Sequence, residues 1–146
     1  MNPTTTLNQT WLFLIIAWFI ALASTLASLF FSEVMDLTPC VLCWYQRIFI
    51  FGLAIILLVG ILTHDPYVIR YAMPFSLIGL LFALYHGLLF YGFIPENIQP
   101  CSQGVPCNDA NMVLFDILPI PILSLLAFVS ITLLLVLASK GNNHES

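Results

Sequence analysis

The chain has 146 residues, of which 61% are hydrophobic and only 7% are charged. About a quarter of the residues in a soluble domain are usually charged. The composition therefore excludes an ordinary soluble protein and predicts a single integral membrane domain over residues 1–146. The formal net charge of −4, with three Lys and Arg residues in all, excludes a basic phosphate-binding surface and hence a nucleic-acid partner.

Four apolar stretches are long enough to cross a bilayer, which takes about 20 helical residues. They are Trp11–Phe31, Trp44–Leu62, Val68–Phe90 and Ile120–Ala138. The predicted fold class is an all-α membrane protein, a bundle of four transmembrane helices. The first stretch could also be a cleaved signal peptide. However, no Lys or Arg precedes it, and its apolar run exceeds the roughly 7–15 residues of a signal sequence. We therefore expect a retained helix.

The charges of the loops predict how the bundle lies in the membrane. Four spans place both termini on one side and the segments Ser32–Cys43 and Tyr91–Pro119 on the other. Arg70 and Lys140 flank the spans on the side of the termini, whereas the opposite side is acidic. Because Lys and Arg near span ends favour the cytoplasm, we expect cytoplasmic termini and extracytoplasmic loops.

All four cysteines lie on the expected extracytoplasmic side, where disulfides persist. Four cysteines allow three pairings. Proximity in sequence favours Cys40–Cys43 and Cys101–Cys107 as the resting pairs. The other pairings remain reachable, because both loops share one face.

The first cysteine pair opens the second predicted span. Thr38 is expected to cap this helix, and Pro39 suits its first turn. A helix N-terminus carries partial positive charge and free N–H groups that stabilise a thiolate, which is the reactive form of cysteine. Cys40 and Cys43 therefore form a candidate redox centre.

Two polar side chains in the spans lie close to this pair. Arg47 follows Cys43 by four residues, on the same helical face and about 6 Å deeper. A charge inside a span indicates a function, here holding an anion such as the Cys43 thiolate or a reduced quinone oxygen; the alternative is snorkelling to the interface. His86 lies at a similar depth in the third span. It could line a quinone pocket and donate a proton, or it could be a packed core residue.

The second cysteine pair lies in the long loop before the last span. The sequence Cys101-Ser-Gln-Gly-Val-Pro-Cys107 is rich in turn-forming residues. It could be a structural crosslink for the loop, or the site at which an incoming thiolate attacks. Met112–Leu118 is apolar but too short to span, so we expect a short interfacial helix that tethers the loop to the membrane.

These motifs resemble the DsbB family of disulfide bond formation proteins. The resemblance rests on Pro-Cys-Val-Leu-Cys-x-Tyr-x-Arg at Pro39–Arg47, then His86, then a loop cysteine pair, on a layout of four spans that covers essentially the whole chain. The close spacing of Cys101 and Cys107 is more similar to the BdbC branch than to DsbB itself. Gln46 stands where many relatives have Glu.

The resemblance implies a quinone-linked thiol–disulfide oxidoreductase in the bacterial cytoplasmic (inner) membrane. A reduced DsbA-like partner with a thioredoxin fold would attack Cys101, and Cys107 would then exchange with Cys40. Cys43 would face ubiquinone or menaquinone from the membrane pool. The implied catalytic residues are Cys40, Cys43, Cys101 and Cys107, the implied quinone-binding residues are Arg47 and His86, and no metal is implied.

Three other functions fit part of the sequence. A vitamin-K-epoxide-reductase-like enzyme also has a four-helix core, but its redox Cys-x-x-Cys comes after its loop cysteines, whereas Cys40 and Cys43 come first here. A membrane protein could bind zinc through four thiolates, which metal analysis would reveal. A structural protein with crosslinked loops would leave Arg47 unexplained.

Overall fold

The computed structural model of the chain describes residues 3–94, 113–114 and 118–143. Nearly all of these residues lie in four helices: α1, Pro3–Glu33; α2, Val41–Thr63; α3, Val68–Phe90; and α4, Ile120–Asn143. Each helix contains a stretch long and apolar enough to cross a membrane. The predicted bundle of four transmembrane helices is therefore confirmed. The second cysteine pair, Cys101 and Cys107, falls outside the described residues.

The predicted spans agree with the helices to within a few turns. The span Val68–Phe90 coincides with α3. The other helices extend beyond their predicted spans, α1 and α2 at both ends and α4 at its C-terminal end. Hydropathy marks only the part of a helix inside the hydrocarbon, whereas the backbone can stay helical into the polar interface.

The helices pack against one another in chain order and enclose the main hydrophobic core. Each packs against its neighbours in sequence, and α1 also packs against α4, which closes the bundle. The buried positions include small residues such as Ala17 and Ala21 of α1 and Ala83 of α3. Small residues allow close helix approach where lipid supplies no hydrophobic driving force between helices. Large apolar side chains such as Leu62 and Leu81 face outward, as expected for a surface in contact with lipid.

Gly79 of α3 lies against the ring of Phe128 in α4. A Cβ atom at this position would overlap the ring of Phe128, which is 1% exposed and fixed in the core. We expect Gly79→Ala to lower the free energy of unfolding by about 1–3 kcal/mol, as overpacking usually does. Thermal unfolding of the purified protein in detergent would measure the change. Gly87→Ala is the matched control on the same helix, because its Cβ meets nothing within 4 Å. Equal stability of the two variants would contradict the packing.

The prediction of a short interfacial helix before the last span is wrong for the residues that the structure describes. The segment Met112–Leu118 was expected to be a short interfacial helix, but β1, Val113–Leu114, pairs antiparallel with β2, Leu118–Pro119. Pro119 disfavours helical backbone angles at Leu118. Val113 is β-branched and also favours an extended backbone. This small ladder leads directly into α4 at Ile120.

Candidate functional site

The first cysteine pair opens α2, and one of its sulfurs caps the helix. Cys40 is the N-cap, with an extended backbone at φ −69° and ψ 169°, and its Sγ accepts a hydrogen bond from the Cys43 backbone N–H at 3.3 Å. The expectation that Thr38 caps the helix is therefore wrong. Because Cys40 is itself extended, the helix cannot begin before it, and its sulfur takes the place of a capping hydroxyl.

The two sulfurs of the first cysteine pair lie in direct contact. Cys40 Sγ and Cys43 Sγ lie 2.8 Å apart. Cys40 is 1% exposed, whereas Cys43 is half-buried. Donation from the Cys43 thiol is the largest influence on the pKa of Cys40 and lowers it; burial opposes this effect, and His86 adds to the lowering. These contacts favour the thiolate form of Cys40 over that of Cys43 in the reduced pair.

A metal site is the chemical alternative at this pair. The ligand atoms of Cys40, Cys43 and His86 all lie within 4.8 Å of one another, and zinc binds such donors. Two thiolates on one tetrahedral zinc, each at about 2.3 Å, would hold their sulfurs roughly 3.8 Å apart. The observed 2.8 Å is about 1 Å shorter than that separation and about 0.8 Å longer than a sulfur–sulfur bond. The geometry therefore favours disulfide chemistry over metal binding.

His86 lies behind the cysteine pair on α3. Its imidazole is fully buried, with Nε2 3.7 Å from Cys40 Sγ and Nδ1 3.1 Å from Gln46 Nε2. Gln46 is buried as well, at 7% exposure, and its side-chain amide also donates to the Phe82 carbonyl at 3.4 Å. The site therefore contains a chain of polar contacts from the α3 backbone through Gln46 and His86 to the first cysteine.

Arg47 lies on the other side of the pair and is anchored to α1. Its Nε donates to Ser28 Oγ at 2.7 Å, and its Nη2 donates to the Ser28 carbonyl at 2.6 Å. Its guanidinium carbon also lies 5.4 Å from the centre of the Trp44 ring. A guanidinium has five N–H donors. Counted over the described residues, Ser28 occupies two of these donors and leaves three for another partner.

A cavity of about 310 Å³ separates α1, α2 and α4 at this end of the bundle. This volume lies at the lower end of the range for small-molecule sites. Cys43, Gln46 and Arg47 face it from α2, and apolar side chains make up most of the remaining wall. The residues that line it include Ser28, Cys43, Arg47, Ile50, Leu123 and Phe128.

The structure brings together only part of the predicted site. Cys43 and Arg47 share the cavity wall, as their spacing on one helical face predicts. His86 is absent from the residues that line this cavity and contacts Cys40 instead. Cys101 and Cys107 lie outside the described residues, so their place in the site stays a prediction.

Two polar residues of the site were not predicted as functional. Ser28 fixes the guanidinium of Arg47, and Gln46 contacts both His86 and the cavity. The signal that could have found Gln46 is its polarity inside an apolar span, one residue before the intramembrane arginine. Ser28 gave no such signal, because small polar residues are common at helix contacts in membranes.

Comparison of the whole sequence with known proteins shows which family it matches. The sequence model of the family described as disulfide bond formation protein DsbB matches residues 8–138. A probable disulfide formation protein of Metapseudomonas resinovorans is 46% identical over 141 residues, which cover 96% of this chain and 97% of that protein. Disulfide bond formation protein C of Bacillus subtilis (strain 168) is 38% identical over 135 residues, covering 91% and 96%. No solved structure matches the chain.

Proposed function

Since the chain belongs to the DsbB family of disulfide bond formation proteins, we propose that it reoxidises a DsbA-like dithiol protein and passes the electrons to a membrane quinone. A role as a membrane disulfide oxidoreductase follows from the family and the four spans. The observation that carries the finer proposal is the shared cavity wall of Cys43 and Arg47. It offers a reactive sulfur and a fixed cation to one small molecule.

The cavity has the chemistry that a quinone needs. A quinone combines a flat apolar ring with two oxygens that gain negative charge on reduction. Ile50, Leu123 and Phe128 supply apolar surface for a ring, and Arg47 has N–H donors left over for an oxygen. When bound, the quinone accepts two electrons and two protons and leaves as quinol. In this scheme His86 would contact the Cys40 sulfur rather than the quinone, because it does not line the cavity.

The electrons would reach Cys43 through two disulfide exchanges. A thiolate of the partner attacks Cys101, the Cys101–Cys107 bond breaks, and the partner's second thiol then displaces Cys101 so that the partner leaves oxidised. The resulting Cys107 thiolate attacks Cys40, which breaks the Cys40–Cys43 bond and frees Cys43 beside Arg47. Cys101 then displaces Cys40 from Cys107. The loop pair is oxidised again, and Cys40 and Cys43 hold the two electrons.

The orientation in the membrane is part of the proposal. Arg70 and Lys140 lie at the end of the bundle away from Cys40 and Cys43, and by the positive-inside rule we expect that end to face the cytoplasm. The cysteines would then face outward from the bacterial inner membrane, where disulfides persist and a DsbA-like partner would meet them. A DsbA-type oxidant has a potential near −120 mV. Reoxidising it therefore needs an acceptor stronger than ordinary protein disulfides.

Anaerobic turnover tests the proposed function directly. The purified protein in detergent is given a reduced DsbA-like donor together with a ubiquinone or a menaquinone analogue. We expect equal amounts of donor dithiol oxidised and quinone reduced, and the faster analogue identifies the preferred quinone. Oxidation of the donor without quinone reduction would contradict the proposal. So would stoichiometric zinc in a protein that reduces no quinone, because that result would support the metal site instead.

A further inference from the structure

Gln46 is a polar side chain buried beside the redox centre. It is 7% exposed and lies on α2 between Cys43 and Ile50, with its amide turned toward α3. The amide nitrogen Nε2 lies 3.4 Å from the carbonyl oxygen of Phe82 and 3.1 Å from Nδ1 of His86. A buried amide in a membrane span is costly unless its groups are paired. The amide must therefore donate or accept a hydrogen bond at each of these two contacts.

The Phe82 carbonyl fixes which way round the amide lies. A backbone carbonyl oxygen can only accept a hydrogen bond, so the amide atom facing it must be the NH₂ group. The same NH₂ group faces Nδ1 of His86 with its second hydrogen. Nδ1 must then accept, and a neutral imidazole that accepts at Nδ1 carries its proton on Nε2.

The protonated nitrogen is the one that faces the first cysteine. Nε2 of His86 lies 3.7 Å from Cys40 Sγ, and both side chains are at most 1% exposed. We infer that Gln46 is a positioning residue that holds His86 in the tautomer whose Nε2–H donates to the Cys40 sulfur. Only the role of Gln46 in turnover rests on the proposed function, because the tautomer of His86 follows from the contacts.

This arrangement decides what His86 can do. Its lone pair faces Gln46, so His86 cannot remove the proton from Cys40 as a base. It is instead a neutral hydrogen-bond donor that stabilises negative charge on Cys40 whenever this sulfur is the leaving group, as when Cys101 displaces it from Cys107. Stabilising this sulfur makes it a better leaving group in exchange. The protons that leave with quinol must then pass through the cavity side of the pair rather than through His86.

The tautomer can be read by ¹⁵N NMR of the full chain in detergent. The protein carries Cys101→Ser and Cys107→Ser, is labelled at histidine nitrogens, and has Cys40 and Cys43 reduced with dithiothreitol. Protonated and unprotonated ring nitrogens resonate far apart. We expect His86 to be protonated at Nε2 alone, and we expect Gln46→Met to lose that fixed state. Protonation at Nδ1 in the unsubstituted site, or an unchanged Nε2–H state in Gln46→Met, would overturn the inference.

A rate provides the second measurement. We expect dithiothreitol to reduce the Cys40–Cys43 disulfide of Gln46→Met about tenfold more slowly, the factor for one lost hydrogen bond to an ionised sulfur. Ser76→Ala is the matched control, since it removes a buried hydrogen bond from α3 to Thr132 of α4 instead. An equal loss of rate in the control would make Gln46 merely structural. Neither readout needs quinone, so failure of quinone reduction would reject the proposed function and leave the tautomer result standing.

Discussion

Replacing Cys43 with serine is expected to abolish quinone reduction completely. Cys43 is the sulfur that faces the cavity beside Arg47, and a serine hydroxyl can neither form a disulfide nor carry electrons. Anaerobic reduction of a quinone analogue by a reduced DsbA-like donor would measure the loss. Thermal unfolding of the same preparation checks that the bundle remains folded. Ser32→Ala is the control, since over the described part of the chain that hydroxyl donates to carbonyls of its own helix, at Ser28 and Leu29.

Cys40→Ser should give the same loss of turnover but leave a different trapped species. With Cys43 removed, Cys40 remains available to form a mixed disulfide with a loop cysteine, and the proposed exchange makes Cys107 its partner. With Cys40 removed, that crosslink should be missing. Peptide mapping without reductant distinguishes the two variants. Unchanged quinone turnover in either variant would reject the assignment of the pair to the electron path.

The sequence could predict those parts of the site that depend on positions close together in one helix. Cys43 and Arg47 are four residues apart, and α-helical geometry alone places them on one face. The structure accordingly lines one cavity with both. The span Val68–Phe90 was also predictable to the residue, because turn residues bound its apolar run on both sides. The start of α2 was not, since nothing in the sequence shows that a cysteine sulfur will act as the cap.

Contacts between helices could not be predicted from the sequence. In an apolar bundle nearly every helix face is hydrophobic, so hydropathy does not reveal which face turns inward. The depth of His86 was predictable from its position in α3, but its direction toward Cys40 rather than the cavity was not. Ser28 and Arg47 are 19 residues apart. Their contact depends on how α1 and α2 are rotated against each other.

Arg47→Ala is expected to raise the apparent KM for quinone while leaving the protein folded. The side chain contributes N–H donors to the cavity wall, and a hydrogen bond to a charged oxygen is worth about 1.5–3 kcal/mol. Its loss corresponds to a KM rise of about tenfold to a hundredfold. Steady-state turnover against quinone concentration, at a fixed saturating donor, would show this. Arg70→Ala is the matched control, because Arg70 lies over the Tyr67 ring at the start of α3, away from the cavity.

Ser28→Ala tests whether quinone binding depends on the position of the Arg47 guanidinium, because this variant keeps the charge but removes one of its two anchors. Ser28 Oγ accepts from Arg47 Nε, while the Ser28 carbonyl still accepts from Nη2 after the substitution. We therefore expect a smaller rise in KM than in Arg47→Ala. The KM of Arg47→Lys should also lie between those of the unsubstituted protein and Arg47→Ala, since lysine keeps the charge but not the planar fork of donors. An arginine that only snorkels to the interface would give the opposite pattern, with lower thermal stability in Arg47→Ala and the same quinone KM in all three variants.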